Sequence, residues 1–304
     1  MMMAKNSVLT LVADHTAPAS MRNIADNMIA KLSAMKCAVL DIKWLHEEIA
    51  CDIKIRAADS HNIQSDLATD PLLQEIDYCF QPVECRRKQL FLADMDSTII
   101  TVECIDEIAD FVGLKAEVSE ITEKAMHGDL DFNDAFRARV AMLKGLQEDV
   151  LEQVYQERVA LMPGARTLLT TLTSSGVYTA LVSGGFTFFT SRIRDALGFH
   201  MDLSNELLFE NGVLSGIAAE PILNSQAKLN TLNRLMEEKS IDRALTMAIG
   251  DGANDIPMIE AAGLGVSYHA KPKAAAAADA QIRHGDLTTL LYFLGYSFTE
   301  FRHA

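Results

Sequence analysis

Four apolar residues, Leu90–Ala93, lead directly into the acidic string Asp94-Met95-Asp96-Ser97-Thr98. Such a short apolar run is typical of a buried strand, and two carboxylates two positions apart lie on the same side of the chain. Open α/β sheets bind ligands beyond the carboxyl ends of their parallel strands. We therefore predict a site where one carboxylate can act as a nucleophile and its neighbour as acid and base. A polar loop after a strand explains the pentapeptide alone equally well.

Two later strands also end in loops that suit a site for an anion. Ser183-Gly184-Gly185 closes one apolar run, and a Gly-Gly turn lets backbone amides approach an anion closely. The run Ala248–Asp255 ends in a glycine-spaced acidic loop that contains Asp251 and Asn254. Lys228 stands between these two runs, near the start of an amphipathic helical stretch. Alone, Ser183 would be read as part of a turn and Lys228 as a solvated helix residue.

The acidic residues at these strand ends would repel one another if the ends converge in one pocket. Two carboxylates about 4 Å apart repel by about 4 kcal/mol at an effective dielectric constant of 20. Lys228 supplies one positive charge, so the electrostatics of four carboxylates requires a divalent cation. Oxygen ligands without clustered His or Cys favour Mg²⁺. The alternative is that Asp251 and Asp255 only close a glycine turn.

Strands and helices alternate along the chain from Leu90, which predicts an α/β fold with a parallel sheet and helices on both faces. About 80 residues separate the first two strands, and they read as several short helices. We interpret them as an inserted helical cap at about residues 103–162. The predicted elements are strands near 90–94, 178–183 and 246–250, core helices near 165–175, 187–197 and 228–238, cap helices near 105–112, 118–126, 132–146 and 149–157, a hairpin turn at Asn211-Gly212, and a helix at 274–278.

The first 85 residues have a different pattern, which we interpret as a separate α+β domain. The order βαββαβ is the ferredoxin-like arrangement, and it resembles small ligand-binding domains of the ACT type. The domains are therefore predicted at 1–85 and 86–304. The predicted elements are strands at 8–13, 38–44, 49–57 and 76–83, with helices at 19–35 and about 62–75.

Composition excludes several other classes of protein. The formal net charge of −15, from 27 basic and 42 acidic residues, argues against a surface for nucleic acid or anionic membrane. The chain has no apolar run long enough to span a bilayer and no secretory signal at its first residues. Five cysteines without a C-x-x-C pair argue against a disulfide framework. We expect a cytoplasmic protein, for which both a monomer and a homodimer stay open.

Taken in order, the four motifs around Asp94, Ser183, Lys228 and Asp251 resemble those of the haloacid dehalogenase superfamily of aspartate-nucleophile phosphatases. The string DMDSTIITVECIDEIA and the later DFNDAFRARV are similar to the phosphoserine phosphatases within it. The resemblance covers roughly residues 88–295. It implies a Rossmann-like sheet with a cap, and hydrolysis of O-phosphoserine to serine and phosphate, the last step of serine biosynthesis.

The resemblance also implies a role for each matching residue. Asp94 is the nucleophile that forms an aspartyl-phosphate, and Asp96 is the general acid and base. One Mg²⁺ is held by Asp94, Asp251 and the backbone carbonyl of Asp96, while Asp255 orients that shell. The residues that bind substrate are Ser183, Gly184 and Lys228 for the phosphoryl group, Glu103, Met126, Phe132 and Arg139 for the serine moiety, and also Asn254.

A carboxylate for an ammonium group and a guanidinium for a carboxylate together recognise an amino acid. The cap residues have simpler explanations, however: Glu103 could favour a helix N-terminus, Arg139 could be solvated, and the two apolar residues could be cap core. Two alternative functions remain open. One is a phosphatase or phosphotransferase for another small phosphomonoester, such as phosphohomoserine. The other is a phospho-accepting switch, against which Asp96 argues because it hastens breakdown of a phosphoenzyme.

Overall fold

The computed structural model describes residues 6–14, 21–56, 60–127 and 130–303. Ten of the strands in these ranges form one sheet in the order β2-β3-β1-β4-β12-β11-β10-β5-β6-β7, and the other two form a hairpin. The strands are β1 Asn6–Val12, β2 Ala38–His46, β3 Ala50–Arg56, β4 Asp77–Pro82, β5 Leu90–Ala93, β6 Tyr178–Phe186, β7 Met201–Asn205, β8 Leu207–Glu210, β9 Val213–Ala218, β10 Thr246–Gly250, β11 Gly265–Tyr268 and β12 Ala280–Ile282.

Helices cover the sheet and form the cap. The α-helices in the described ranges are α1 Met21–Ala34, α2 Ser60–Ala68, α3 Cys104–Asp110, α4 Lys115–His127, α5 Phe132–Met142, α6 Asp149–Glu157, α7 Ala165–Ser174, α8 Thr187–Leu197, α9 Ser225–Lys239, α10 Ile256–Ala261, α11 Pro272–Ala277 and α12 Thr289–Phe293. None of the helices in this part of the chain is both long and apolar enough to cross a bilayer.

The first four strands and two helices follow the predicted order βαββαβ. Strand β1 pairs antiparallel with both β3 and β4, and one face of these strands packs on α1 and α2. One predicted boundary is wrong, because the helix expected to end near residue 75 stops at Ala68 and a 3₁₀ helix follows at Pro71–Gln74. Proline has no backbone N–H and disfavours helical geometry in the residue before it, here Asp70.

The parallel strands confirm the predicted α/β fold. Strand β5 pairs in parallel with β6 on one side and β10 on the other, so their carboxyl ends lie at one edge of the sheet. Buried apolar side chains fill both faces of these strands, as expected for a sheet covered by helices on each side. Three short strands, β7, β11 and β12, extend this sheet beyond the predicted three.

The cap consists of α3–α6 and rises from two chain segments that lie side by side. The Thr101 amide donates to the Ala160 carbonyl at 3.0 Å, and the Met162 amide donates to the Ile99 carbonyl at 2.8 Å. Helix α5 ends at Met142 rather than near 146, since Gly145 adopts a positive φ of 84°. The predicted Asn211-Gly212 turn joins β8 to β9, with φ values of 52° and 81° that suit a type I′ turn.

The N-terminal strands join the parallel sheet through β4 and β12, which pair antiparallel at Tyr78 and Gln281. The Asp77 carboxylate accepts hydrogen bonds from three successive backbone amides, of Arg283, His284 and Gly285, at distances from 2.7 to 3.4 Å. Buried side chains of β1 to β4, such as Val12 and Cys79, belong to the same core cluster as those of β5. The domain boundary near residue 85 stays a prediction, and this sheet and core cross it.

Arg86 fixes this junction from the connecting segment. Its guanidinium forms a two-point ion pair with the Asp52 carboxylate at 2.6 and 2.7 Å and donates to the Thr10 hydroxyl at 2.6 Å. It also donates to the carbonyls of Tyr292 at 2.9 Å and Phe293 at 2.8 Å. The Arg86 and Asp52 side chains are only 13% and 9% exposed, so this pair lies largely out of water.

We expect Arg86→Ala to lower the free energy of unfolding by about 3–5 kcal/mol, because it leaves Asp52 buried without its cation. Arg87→Ala is the matched control. Arg87 pairs with Glu300 at 2.9 Å at the surface, so its loss should cost about 1 kcal/mol or less. Urea unfolding of both variants and wild type measures the difference. Equal losses would show that the Arg86 pair does not hold the junction.

Candidate active site

The carboxyl ends of β5, β6 and β10 open onto a cavity of about 230 Å³ beneath the cap. Core loops supply its acidic and polar side chains, while α4 and α5 supply a mixed apolar and basic wall. The lining residues are Asp94, Asp96, Glu103, Ile105, Thr122, Ala125, Phe132, Phe136, Arg139, Ser183, Gly184, Gly185, Phe186, Ser225, Asp251, Ala253 and Asn254. The structure thus brings most of the predicted site residues together.

Asp94 follows β5 directly and contacts the amine of Lys228. The Lys228 Nζ lies 2.7 Å from Asp94 Oδ1 and 2.6 Å from Asp255 Oδ1, and all three side chains are almost fully buried. Although burial lowers the pKa of Lys228, the two carboxylates outweigh it and raise that pKa. Lys228 is therefore a buried cation that bridges two strand ends.

Lys228 reaches this position because it lies in the first turn of α9. The Asn224 side chain caps that helix, accepting hydrogen bonds from the amides of Gln226 at 3.0 Å and Ala227 at 3.3 Å. An N-cap of this type fixes where the helix begins. The Asn224 N-cap therefore determines which turn of α9 lies against β5 and β10.

Three carboxylates, Asp94, Asp251 and Asp255, each offer an oxygen within 4.8 Å of the others. Both carboxylate oxygens of Asp255 have partners within the protein, since Oδ1 binds Lys228 and Oδ2 accepts a hydrogen bond from the Gly252 amide at 3.0 Å. Gly250 allows this close packing, because a Cβ there would lie only 2.3 Å from the Asp255 Cγ. Asp255 thus ties Lys228 to the loop after β10. Its predicted role in orienting the metal ligands stays a prediction.

The charge of this cluster suits a divalent cation. Burial is the larger cause and the charge of Asp255 the second, and together they raise the pKa of Asp251 to about 7. The same two causes raise the pKa of Asp94, and the positive charge of Lys228 opposes that rise. When ionised, the three carboxylates carry three negative charges against the single positive charge of Lys228. Hard oxygen donors around a net negative charge fit Mg²⁺. The predicted role of Asp96 as a ligand concerns its backbone carbonyl and stays a prediction.

Asp96 lies beside this cluster but has different neighbours. Its Oδ1 accepts from the Cys104 amide at 3.3 Å, and its Oδ2 accepts from the Ser183 hydroxyl at 3.5 Å. Burial and the nearby charge of Glu103 raise the pKa of Asp96 to about 7, partly offset by the Cys104 hydrogen bond. A carboxyl group with this pKa can both donate and accept a proton near neutral pH.

The last residues of β6, where the pairing with β7 is irregular between Val182 and Phe186, offer a polar surface next to these carboxylates. The Ser183 Oγ accepts from the Gly185 amide at 2.8 Å, and the Gly184 carbonyl accepts from the Asn205 side chain at 2.9 Å. Glycine is required at 185, since a Cβ there would lie 2.7 Å from the Asp96 Oδ2. The strand predicted to end near residue 183 in a Gly-Gly turn instead continues to Phe186, with an irregularity in its pairing at these residues. The predicted approach of the backbone amides to an anion stays a prediction.

The cap contributes Glu103, Phe132 and Arg139 to the cavity wall. Arg139 is buried, with only 7% of its surface exposed, rather than solvated. Glu103 stands at the N-cap position of α3 without capping it, and instead accepts from the Ser97 hydroxyl at 2.8 Å. The side chain of Met126, also predicted to bind substrate, lies outside the described residues.

Two threonines near this cavity were not predicted from the sequence. Thr98 donates to the Asp251 carboxylate at 3.4 Å, and Thr122 accepts from the Arg139 guanidinium at 3.0 Å. Thr98 stands in the motif that begins at Asp94, so its position in sequence gave a signal. Thr122 had none, because it looks like any buried residue of an amphipathic helix.

The comparison with known families matches residues 91–260 to the haloacid dehalogenase-like hydrolases. That segment holds the strand ends, the cap and the cavity described above. The chain belongs to the haloacid dehalogenase-like hydrolase family. Within that family it is related to the phosphoserine phosphatases.

A phosphoserine phosphatase from Haemophilus influenzae is 45% identical over 205 residues, which are 67% of this chain and 65% of the relative. A solved structure described as a phospho-aspartyl intermediate analogue of phosphoserine phosphatase is 37% identical, with a TM-score of 0.65, and the match covers 68% of this chain and 99% of the other. The match with the Haemophilus protein thus spans slightly less than two thirds of that relative's length.

A haloacid dehalogenase family hydrolase from Salmonella enterica serovar Typhi is similar over more of the chain. Its structure has a TM-score of 0.83 at 30% identity, and the match covers 95% of this chain and 98% of that one. A match of this extent must include most of the first 85 residues. The joining of the N-terminal strands to the parallel sheet is therefore shared with this hydrolase.

We expect Lys228→Met to destabilise the metal-free protein strongly, because it leaves three buried carboxylates without a cation. At pH 8 in a chelator, the free energy of unfolding should fall by about 3–5 kcal/mol. Lys239→Met, at the exposed end of the same helix, is the control and should cost about 1 kcal/mol or less. Urea unfolding measures both variants. A loss as small as that of the control would mean that the carboxylates do not depend on Lys228.

Proposed function

We propose that this protein is a Mg²⁺-dependent phosphatase that hydrolyses O-phosphoserine to serine and phosphate through an aspartyl-phosphate. The observation that carries this proposal is one cavity with two chemically different ends. Asp94, which Lys228 contacts from behind the wall, lies at the core end, and Arg139 and Glu103 lie at the cap end. A phosphate ester of an amino acid has matching groups at its own two ends. A cytoplasmic location fits five cysteines that are all free, and the reaction would complete serine biosynthesis.

In this mechanism the Asp94 carboxylate attacks phosphorus in line and displaces the serine oxygen. The Lys228 amine and the Met95 amide, at 2.7 and 2.8 Å, both bind Asp94 Oδ1 and so fix the carboxylate before attack. Ser183, the Gly184 amide, Asn254 and Lys228 bind phosphoryl oxygens and stabilise the charge that develops on them. Holding the nucleophile and the phosphoryl group in one geometry removes much of the entropic barrier.

Asp96 moves the protons in both steps. As the bond between phosphorus and the serine oxygen breaks, protonated Asp96 gives its proton to that oxygen. The resulting carboxylate then takes a proton from water, which attacks phosphorus and releases Asp94 and inorganic phosphate. A pKa near 7 suits a group that must hold the proton in one step and lack it in the next.

The proposed Mg²⁺ would be held by Asp94, Asp251 and the backbone carbonyl of Asp96. When bound, it supplies positive charge that lowers the proton affinity of Asp94 and balances the phosphoryl oxygens. The excess negative charge of the carboxylate cluster supports this assignment. The relative described as a phospho-aspartyl intermediate analogue supports Asp94 as the residue that becomes phosphorylated.

Recognition of the serine moiety is assigned to the cap end of the cavity. Glu103 would accept hydrogen bonds from the substrate ammonium, and Arg139 would donate to its carboxylate. Phe132 lies over the last residues of β6, since a Cβ on Gly184 would be 3.3 Å from the Phe132 ring. Met126 belongs to this set by the family resemblance. Together these side chains favour a small zwitterion over a simple phosphate ester.

We expect Asp94→Asn to abolish turnover while the fold survives, because the change removes the nucleophile with little change in volume. Asp96→Asn should slow both chemical steps, since neither the leaving oxygen nor the water would have its proton carrier. Phosphate release from O-phosphoserine with and without Mg²⁺ measures both variants, and circular dichroism checks the fold. Substantial hydrolysis by folded Asp94→Asn would rule out the proposed nucleophile.

We expect Arg139→Ala to reduce kcat/KM for O-phosphoserine by about tenfold to a hundredfold, since hydrogen bonds between charged groups contribute about 1.5–3 kcal/mol. Phosphoethanolamine lacks the carboxylate and should lose much less. Glu103→Gln should instead penalise substrates with an ammonium group and spare phosphoglycolate. Equal losses on all three esters would show that these residues support the cap rather than recognise an amino acid.

A further inference from the structure

Arg139 is a buried cation whose orientation depends on few contacts. Its Nε donates to the Ala135 carbonyl at 3.3 Å, and its Nη1 donates to the Thr122 hydroxyl at 3.0 Å. Arg139 has no ion pair with any residue in the described ranges, and its Nη2 makes no hydrogen bond there. Burial also lowers its pKa. A buried guanidinium with an unused donor is costly, so this one is suited to meet an anion in the cavity that it lines.

The Thr122 hydroxyl contacts the Arg139 guanidinium only as a hydrogen-bond acceptor. Thr122 is 7% exposed, and its hydroxyl donates to the Val118 carbonyl one helical turn earlier, at 3.0 Å. A hydroxyl has a single proton to donate. Since that proton is used within α4, the oxygen faces Arg139 as an acceptor only. Helix α4 therefore fixes the hydroxyl, and the hydroxyl fixes the Nη1 group of an arginine on α5.

The contact between Thr122 and Arg139 is important because a second acceptor, Asp106, lies near the guanidinium. The Asp106 Oδ2 accepts from the Ser119 hydroxyl at 2.8 Å, but its Oδ1 is buried without a hydrogen-bond partner. Among the charges near Arg139, Asp106 is the one that most strongly favours its cationic form. An unfilled carboxylate oxygen attracts a guanidinium more strongly than a neutral hydroxyl does. Without Thr122, the side chain of Arg139 is free to turn from the cavity toward Asp106.

We propose that Thr122 is a positioning residue that holds Arg139 toward the cavity and so determines selectivity for substrates with a carboxylate. The inference rests on the proposed function, in which Arg139 binds the carboxylate of O-phosphoserine. Thr122 itself takes no part in phosphoryl transfer. Its effect must therefore fall on the binding of one substrate group and leave the chemical step unchanged.

The test compares Thr122→Val, which removes the hydroxyl at nearly constant volume, with Thr122→Ser, which retains it. Thr173→Val is the matched control, because the Thr173 hydroxyl also donates one turn back, to the Leu169 carbonyl at 2.8 Å, but lies on α7 away from the cavity. For each Mg²⁺-loaded variant, KM and kcat are measured on O-phosphoserine and on phosphoethanolamine.

Thr122→Val should raise KM for O-phosphoserine roughly tenfold, with kcat changed less than about twofold, because one hydrogen bond to a charged group is lost. Its kinetics on phosphoethanolamine should stay within about twofold of wild type. Thr122→Ser should restore KM to within about threefold of wild type, and Thr173→Val should leave both substrates unaffected. Thermal unfolding by circular dichroism accompanies the kinetics, and Thr122→Ala replaces the valine variant if that variant does not fold.

Equal losses on both esters, a serine variant as poor as the valine variant, or an unchanged preference in Thr122→Val would each overturn the role of Thr122. Wild-type protein that hydrolyses phosphoethanolamine as efficiently as O-phosphoserine would overturn the substrate assignment, and the inference with it. Failure of the inference alone is thus recognised by a wild-type preference that survives removal of the hydroxyl.

Discussion

The bridge from Lys228 to Asp94 and Asp255 joins three separate parts of the chain, and the geometry of the core end depends on it. Asp94 ends β5, Asp255 follows β10, and Lys228 stands in the first turn of α9. Burying such charges is costly unless each has a close partner. The sheet meets that requirement because β5 and β10 are neighbouring parallel strands, and the segments that follow them place the two carboxylates 2.7 and 2.6 Å from one amine. Among the described residues three carboxylates, Asp94, Asp251 and Asp255, meet at this bridge with one amine between them, and a divalent ion suits such a cluster.

The charge imbalance at the cap end of the cavity is opposite to that at the core end. This difference in charge distinguishes the two ends. At the core end carboxylates outnumber cations, whereas Arg139 at the cap end is a buried cation without an ion pair in the described part of the chain. Each end is therefore incomplete alone and stabilised by a ligand of opposite charge. A molecule with a phosphoryl group and a carboxylate, together with a divalent cation, completes both. In the proposed function, selectivity then depends on how rigidly Arg139 is held, and Thr122 holds it through one hydrogen bond.

Sequence reasoning succeeded where the structure repeats a simple rule and missed what depends on long-range contacts. Asp94, Ser183 and Asp251 could be predicted because polar residues at the carboxyl ends of parallel strands must meet at one edge. Strands β11 and β12, of four and three residues, are too short to show a pattern. The predicted end of α2 near residue 75 is wrong because the apolar spacing continues past Ala68, where the helix ends, whereas Pro71 interrupts the helical backbone. Thr122 could not be found, since its role depends on the approach of α5 to α4.

The junction at Arg86 shows how one side chain can tie the N-terminal strands to the rest of the fold. The Tyr78 and Gln281 pairing of β4 with β12 provides little area by itself. Arg86 adds a two-point ion pair to β3 and two hydrogen bonds to carbonyls at the end of α12. Guanidinium geometry is what allows one residue to contact a carboxylate and two carbonyls at once, and lysine could not replace it. In the sheet, β12 and β11 lie between β4 and β10, so two strands separate β4 from the strand whose loop carries Asp251. The described residues of β1 to β4 contribute none of the side chains that line the cavity, so these strands contact the rest of the fold through the sheet and through Arg86.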